Sequence, residues 1–136
     1  MKKVLVGGCF DLMHYGHVVF LEKAKALGDH LVVALESDEN VKRLKGKGRP
    51  IHTQEQRKKM LESLKSVDEV LTLPPMQKDA DYENLVRKVK PAVIAVTEGD
   101  PMLAKKKAHA EKVGAKVVEI KKEPVKSTSE ILGRAS

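Results

Sequence analysis

Two histidines raise the question of chemistry. His14 and His17 stand three residues apart, and on a helical turn that spacing puts both imidazoles on one face. They close the stretch Gly7-Gly8-Cys9-Phe10-Asp11-Leu12-Met13-His14-Tyr15-Gly16-His17, which follows a short apolar run at residues 3–6. Paired glycines let the main chain approach a ligand and turn N–H groups toward an anion. A helix beginning beside them adds the positive end of its dipole. Gly16 leaves room between the imidazoles for a bulky group such as a triphosphate. Imidazoles, free amides and a helix end together suit a phosphate. The same pair would also suit a metal ion, but a third ligand would have to come from elsewhere.

Further candidates lie downstream. Lys42, Arg43, Lys45, Lys47 and Arg49, interleaved with Gly46 and Gly48, make a basic segment. It is either a solvated loop or one that closes over anionic substrates. Arg57 falls in the first turns of a helix, where a cation is disfavoured unless an anion is near. Asp100, after Glu98-Gly99, is a candidate acceptor for a ribose hydroxyl and equally a helix cap before Pro101. Ser127, Thr128 and Ser129 offer hydroxyls and amides at a helix start, which suits phosphate oxygens. Asp11 is a candidate for holding Mg2+ or for bonding the turn around it. Cys9 reads as a small packing residue rather than a nucleophile.

The elements that must position these groups alternate along the chain. Residues 3–6, 30–35, 67–73, 92–96 and 116–120 read as short strands rich in β-branched side chains. Val18, Leu21, Ala24 and Leu27 give residues 15–27 a helical face, with Gly28 as its stop. Residues 38–44 form a short helix, and residues 45–50 an exposed loop. Thr53 opens a helix that Gln56 caps reciprocally, with Met60, Leu61 and Leu64 on its apolar face. Residues 79–89 and 101–113 are helical, the latter closed by Gly114. Residues 127–132 form a last short helix, with Ser127 and Glu130 spaced as a capping box.

Strands separated by helices predict an α/β, Rossmann-like doubly wound parallel sheet of about five strands with helices on both faces. A chain of 136 residues suits a single domain, residues 1–136. Ligands of such sheets bind outside the carboxyl ends of the strands. The junctions at 7–17, 36–38 and 97–101 and the stretch before Ser127 should therefore converge.

The formal charge of +7 favours polyanions as partners. Nucleic acid is the weaker choice, because two Tyr and two Phe, dispersed along the chain, offer little for base stacking. One cysteine supports no disulfide framework, and a reducing interior fits it. The first apolar run is too short for a signal or membrane segment, so the expected location is cytoplasmic, with no membrane partner.

The stretch from Gly7 to His17 closely resembles the signature of the cytidylyltransferase-like nucleotidyltransferases: Gly, Thr or Cys, Phe, Asp, a short spacer and His-x-Gly-His. The resemblance extends through Arg43-Leu44-Lys45-Gly46, Arg49-Pro50-Ile51, Gln56-Arg57-Lys58 and Ser127-Thr128-Ser129. Similar branches include archaeal FAD synthases, ADP-heptose synthase adenylyltransferase domains, and glycerol-3-phosphate or ethanolamine-phosphate cytidylyltransferases. The resemblance implies transfer of a nucleoside monophosphate to a phosphorylated acceptor with release of pyrophosphate. It implies Mg2+ as cofactor, a nucleoside triphosphate and a phosphorylated small molecule as substrates, and a homodimer.

It also implies roles for individual residues. His14, His17 and Lys45 would act on the phosphates. Gly8, Cys9, Phe10, Asp11, Gly16, Glu98, Asp100, Ser127, Thr128 and Ser129 would bind the nucleotide, and Lys47, Arg57 and Lys122 the acceptor or phosphate. One departure bears on the donor. Cytidylyltransferases of this family carry Arg-Thr-x-Gly before the closing Ser-Thr, where this chain has Lys122-Glu123-Pro124-Val125-Lys126. Lysine lacks the planar fork of arginine. ATP is accordingly preferred to CTP. The alternatives are a CTP-dependent enzyme acting on glycerol 3-phosphate or ethanolamine phosphate, and a non-catalytic nucleotide- or nucleic-acid-binding module.

Overall fold

The structure, a computed structural model, describes residues 1–122. The serines and threonine at 127–129, and the last helix expected there, lie outside the described residues. The elements run β1 (Lys3–Gly8), α1 (Tyr15–Lys25), β2 (His30–Leu35), α2 (Asp38–Lys45), α3 (Gln54–Glu62), β3 (Glu69–Thr72), α4 (Asp79–Val89), β4 (Val93–Thr97), α5 (Leu103–Val113) and β5 (Lys116–Ile120). All five strands are parallel, in the order β3-β2-β1-β4-β5. This is the expected Rossmann-like sheet. No helix among the described residues is long and apolar enough to cross a membrane.

The side-chain period of two assigns each strand residue to a face. Val4, Val6, Leu31, Val33, Leu35 and Ala95 face one side, with Leu21 and Ala24 of α1 and Leu61 of α3 against them. Leu5, Val32, Ala34, Ile94 and Val96 face the other, under Val86 and Val89 of α4 and Ala110 of α5. Central strands buried on both faces explain why the sequence reads there as continuous apolar runs rather than alternation. Leu21 and Leu61 are fully buried, and truncating either to Ala would cost about 2–5 kcal/mol.

Several boundaries move for identifiable reasons. β1 runs on through Gly7 and Gly8, which pair with Ala34 and Leu35. The glycine pair is thus the end of the strand, not a turn after it. Gly28 does not cap α1, which ends at Lys25 with Ala26 as its cap. A Cβ at Gly28 would stand 2.6 Å from the Lys2 carbonyl oxygen, so glycine is required there for close approach to β1. Gly114 does end α5 in the left-handed region, with φ 69°. α5 starts at Leu103 rather than Pro101, because the Asp100 carboxylate accepts the Met102 N–H at 2.8 Å and shapes a turn first. The reciprocal cap of Thr53 and Gln56 forms as expected. Met60, however, lies at the margin of that helix with 36% exposure. The buried positions of α3 are Arg57 and Leu61, one turn apart.

Candidate active site

The strand order reverses between β1 and β4, and in open parallel sheets that switch point opens a crevice at the carboxyl ends. A cavity of about 730 Å3 lies there. Its walls come from Gly7 and Gly8 at the end of β1, the head of α1, Thr97 at the end of β4 with Asp100 beyond it, and Lys45 at the end of α2 with Arg49 on the loop that follows. The junctions at 7–17 and 97–101 thus meet. Lys121 and Lys122 after β5 reach the same cavity.

The first junction is tightly turned. Phe10 and Leu12 both adopt left-handed backbone, with φ 48° and 57°, at a cost of about 1–3 kcal/mol each for side chains other than glycine. The Phe10 ring is buried in the core on the α1 side of the sheet. A Cβ on Gly8 would lie 2.7 Å from that ring, whereas one on Gly7 meets nothing closer than 3.9 Å. Gly8 is therefore dictated by Phe10 folding back over the strand end. Burial raises the Cys9 thiol, and Glu36 and Asp11 add to the effect over the opposition of Lys45 and Arg57. Cys9 is accordingly a neutral thiol at physiological pH.

The junction ends in the histidine pair, and the main chain fixes both rings. His14 is the N-cap of α1, and its Nδ1 accepts the Gly16 N–H at 3.0 Å. His17, in the third helical position, accepts the His14 N–H on its own Nδ1 at 3.0 Å. The two rings thus replace the serine and glutamate of an ordinary capping box. A neutral imidazole carries one proton, and a nitrogen that accepts cannot hold it. In both rings the proton therefore sits on Nε2, and Nε2–H is the donor left for a ligand in the cavity both rings line. The ring centroids are 4.1 Å apart, and the edge of Phe10 supports His17 at 5.6 Å. Burial, then the neighbouring His14, then Lys45 lower the pKa of His17 to about 4, so at neutral pH it is an uncharged donor. The first turn of α1 contains no acidic residue, which leaves its positive dipole end for an external anion.

Two expected site residues face inward instead. The Asp11 side chain has no exposure. Its Oδ2 accepts from Arg49 Nε at 2.7 Å and Ile51 N–H at 2.8 Å, and its Oδ1 from His52 N–H at 3.0 Å. Burial opposes its ionisation, but those three donors prevail and hold its carboxyl below the usual range. Asp11 ties the basic loop to the first junction. Neither the Mg2+ role nor a turn bonding its own backbone describes it. Arg57 is completely buried. Its Nε donates to the His52 carbonyl at 3.1 Å, and its Nη1 to the carbonyls of Cys9 at 2.8 Å and Glu36 at 3.0 Å. Its Nη2 meets Asp38 Oδ1 at 2.7 Å. The anion that a cation near a helix start requires is thus Asp38, one helix away, rather than a substrate phosphate.

Of the remaining expected residues, Lys45, Gly16, Asp100 and Lys122 line the cavity, and Lys47 and Glu98 do not. The Glu98 carboxylate accepts the Lys122 N–H at 3.1 Å. Asp100 is ion-paired with Lys106 at 2.7 Å. Burial resists its ionisation, but Lys106 and the Met102 amide overcome that and hold its carboxyl low. Arg49, expected only as one of the five cations of the basic segment, lines the cavity, and so do Lys23, Lys106 and Lys121, which sequence reasoning did not single out. The helical spacing of His17, Phe20 and Lys23 carried a usable signal for Lys23. Nothing local marks Lys106, which reaches the cavity because α5 packs over β4.

Among the described residues no group of three His, Cys, Asp or Glu could hold a metal ion. With the Asp11 carboxylate taken up by three donors, this part of the chain does not fit a resident Mg2+.

The chain matches the family model described as cytidylyltransferase-like over residues 5–133. It is 48% identical over 97 residues to the bifunctional protein HldE of Pseudomonas entomophila, an overlap of 71% of this chain and 20% of that protein. With HldE of Pseudomonas putida F1 it shares 46% identity over 99 residues. It thus spans about a fifth of these relatives, which carry further sequence of their own. Among solved structures, a lipopolysaccharide core biosynthesis protein from Thermoplasma volcanium is similar over 93% of this chain and 99% of its own. There the TM-score is 0.73 and the identity 27%. A pantoate-beta-alanine ligase from Francisella tularensis shares the fold, at TM-score 0.63 and 16% identity over 94% of this chain and 61% of its own. The matched family and the histidine-capped helix at the switch point agree, and the chain belongs to the cytidylyltransferase-like family of nucleotidyltransferases.

Proposed function

We propose that this protein transfers AMP from ATP to the phosphate of a phosphorylated sugar and releases pyrophosphate. The observation that carries the reading is the pair of imidazoles capping α1 at the cavity, each accepting a main-chain N–H on Nδ1 and leaving its Nε2 for a ligand. A phosphate monoester has its second pKa near ~6 and is mostly dianionic at neutral pH, so the nucleophile needs no general base. One of its oxygens attacks the α-phosphorus while the bond to the β-phosphate breaks. The difficulty is to bring anions together in line as charge grows on the transferring group and on the leaving pyrophosphate. His14, His17, Lys45 and the head of α1 would stabilise that charge from fixed positions. Asp100, held by Lys106, would take a ribose hydroxyl. Mg2+ belongs to this reading as a companion of the triphosphate.

A sugar phosphate is favoured as acceptor by the relatives. The sequence resembles ADP-heptose synthase adenylyltransferase domains, and the Thermoplasma protein similar along nearly its whole length is a lipopolysaccharide core biosynthesis protein. A pyrophosphate-release screen tests the proposal. ATP and CTP with Mg2+ are each crossed with heptose 1-phosphate, FMN, glycerol 3-phosphate and ethanolamine phosphate. Release with ATP and the sugar phosphate is expected. Release only with CTP and glycerol 3-phosphate or ethanolamine phosphate would replace the reading with a cytidylyltransferase. A cytoplasmic homodimer is part of the same proposal, and light scattering of the purified protein reads its mass.

A further inference from the structure

Resting on the transfer reaction above, we propose that Arg49 binds the phosphate of the acceptor and that Asp11 aims it there. Arg49 differs from the lysines around the cavity in being held at one end. Its Nε donates to Asp11 Oδ2 at 2.7 Å. Asp11 is itself fixed, fully buried and bonded to the amides of Ile51 and His52. A guanidinium anchored through Nε keeps its two terminal NH2 groups in one fixed plane. Asp11 is the side-chain partner of Arg49 among the described residues, none of which takes up those four N–H donors. The side chain is 29% exposed and lines the cavity that holds both histidines. A planar fork of this kind matches two oxygens of a phosphate monoester, which a lysine meets only as a point charge.

Position along the sheet separates the acceptor from the triphosphate. The head of α1, after β1, serves the triphosphate, and Asp100, after β4, serves the nucleoside. Arg49 stands on the loop that follows β2 and α2, on the other side of β1 from β4. That wall of the cavity is left for the second substrate. The base of the loop is fixed there by residue 52, whose N–H goes to Asp11 and whose carbonyl accepts from Arg57. The loop's tip carries Gly46 and Gly48 at φ 103° and 87°, with no neighbour near a would-be Cβ. Arg49 therefore belongs to the anchored part of the loop rather than to its open tip.

The test uses the full chain and the variants Arg49→Met, Arg49→Lys and Asp11→Asn. Inorganic phosphate is titrated by calorimetry into protein saturated with α,β-methylene-ATP, and KM for acceptor and for ATP is read from pyrophosphate release. Arg49→Met should weaken phosphate binding and raise the acceptor KM by about 10- to 100-fold, with binding of the ATP analogue within about twofold. Arg49→Lys should recover only part of the loss, because the charge returns without the fork. Asp11→Asn should raise the acceptor KM less, in the same direction, and leave the Mg2+ dependence unchanged. Unaltered phosphate affinity and acceptor KM in Arg49→Met would overturn the assignment. So would a loss confined to the ATP analogue, which would give Arg49 to the triphosphate. Should Arg49→Met not fold, Arg49→Lys answers the same question. If the wild type releases no pyrophosphate with any acceptor, the transfer reaction fails, and the phosphate titration still judges Arg49.

Discussion

The head of α1 and the clasp formed by Asp11 and Arg57 are both built from polar residues of the resembling motifs, and they do opposite things. At the head, each imidazole accepts one main-chain N–H through Nδ1 and keeps the other nitrogen for the cavity. In the clasp, Asp11 and Arg57 spend their polar atoms on the protein. They grip residue 52 from both sides, one through its N–H and one through its carbonyl. The difference teaches that membership of a signature motif does not decide what a polar residue does. The decision lies with the hydrogen bonds the fold has already filled. A group half satisfied by the main chain is oriented and still available. A group fully satisfied and buried is structural, because pulling it out would strand several partners at about 1–3 kcal/mol each.

The contrast breaks most sharply if the head can be removed without harm. His17→Ala should lower turnover by about 10²–10⁴-fold, the range for loss of a transition-state donor. Thermal unfolding should shift modestly, since one cap is lost. Steady-state pyrophosphate release reads the first and circular dichroism the second. Full turnover would detach the histidine from the chemistry.

Arg57→Leu probes the clasp. It strands the carbonyls of Cys9, Glu36 and His52 and leaves Asp38 without its partner, so stability should fall by about 2–4 kcal/mol. Urea denaturation measures this. Unchanged stability together with weakened substrate binding would move Arg57 from the clasp into the site.

The smallest effect is the pH dependence of the head. Folding lowers the pKa of His17 from 6.5 to about 4. Between those values the unfolded chain binds a proton that the folded chain does not, so unfolding becomes easier as pH falls through that window. The stability fall on acidification should be shallower in His17→Ala than in the wild type. An ATP analogue should raise the His17 pKa, because an anion favours the imidazolium. Proton NMR of the imidazole follows that shift, and no change on adding the analogue would place the triphosphate elsewhere.

Much of the site was legible because it is local. The His14–His17 spacing, the glycine at the strand end and the helix start all lie within a few residues, and a capping geometry follows from short-range sterics. The roles of Asp11 and Arg57 were not legible, because their partners lie across the fold. Asp11 bonds residues 49, 51 and 52, and Arg57 reaches Cys9, Glu36 and Asp38. A charge near a helix start announced that an anion was needed, without telling a carboxylate of the protein from a phosphate of the substrate. Gly28 was misread similarly. The sequence shows a glycine after a helix, but the atom that demands it belongs to Lys2, just before β1 and far away in sequence.

By itself, the sequence determined the alternation of strand and helix, the parallel sheet, the family and the histidine pair, since each rests on periodicity or on neighbours along the chain. Only the tertiary structure decided which charges face the cavity and which hold it together. Arg49 turned outward while Asp11 and Arg57 turned in, because a buried charge is tolerated only where the fold supplies every partner it needs, and those partners arrive from segments distant in sequence.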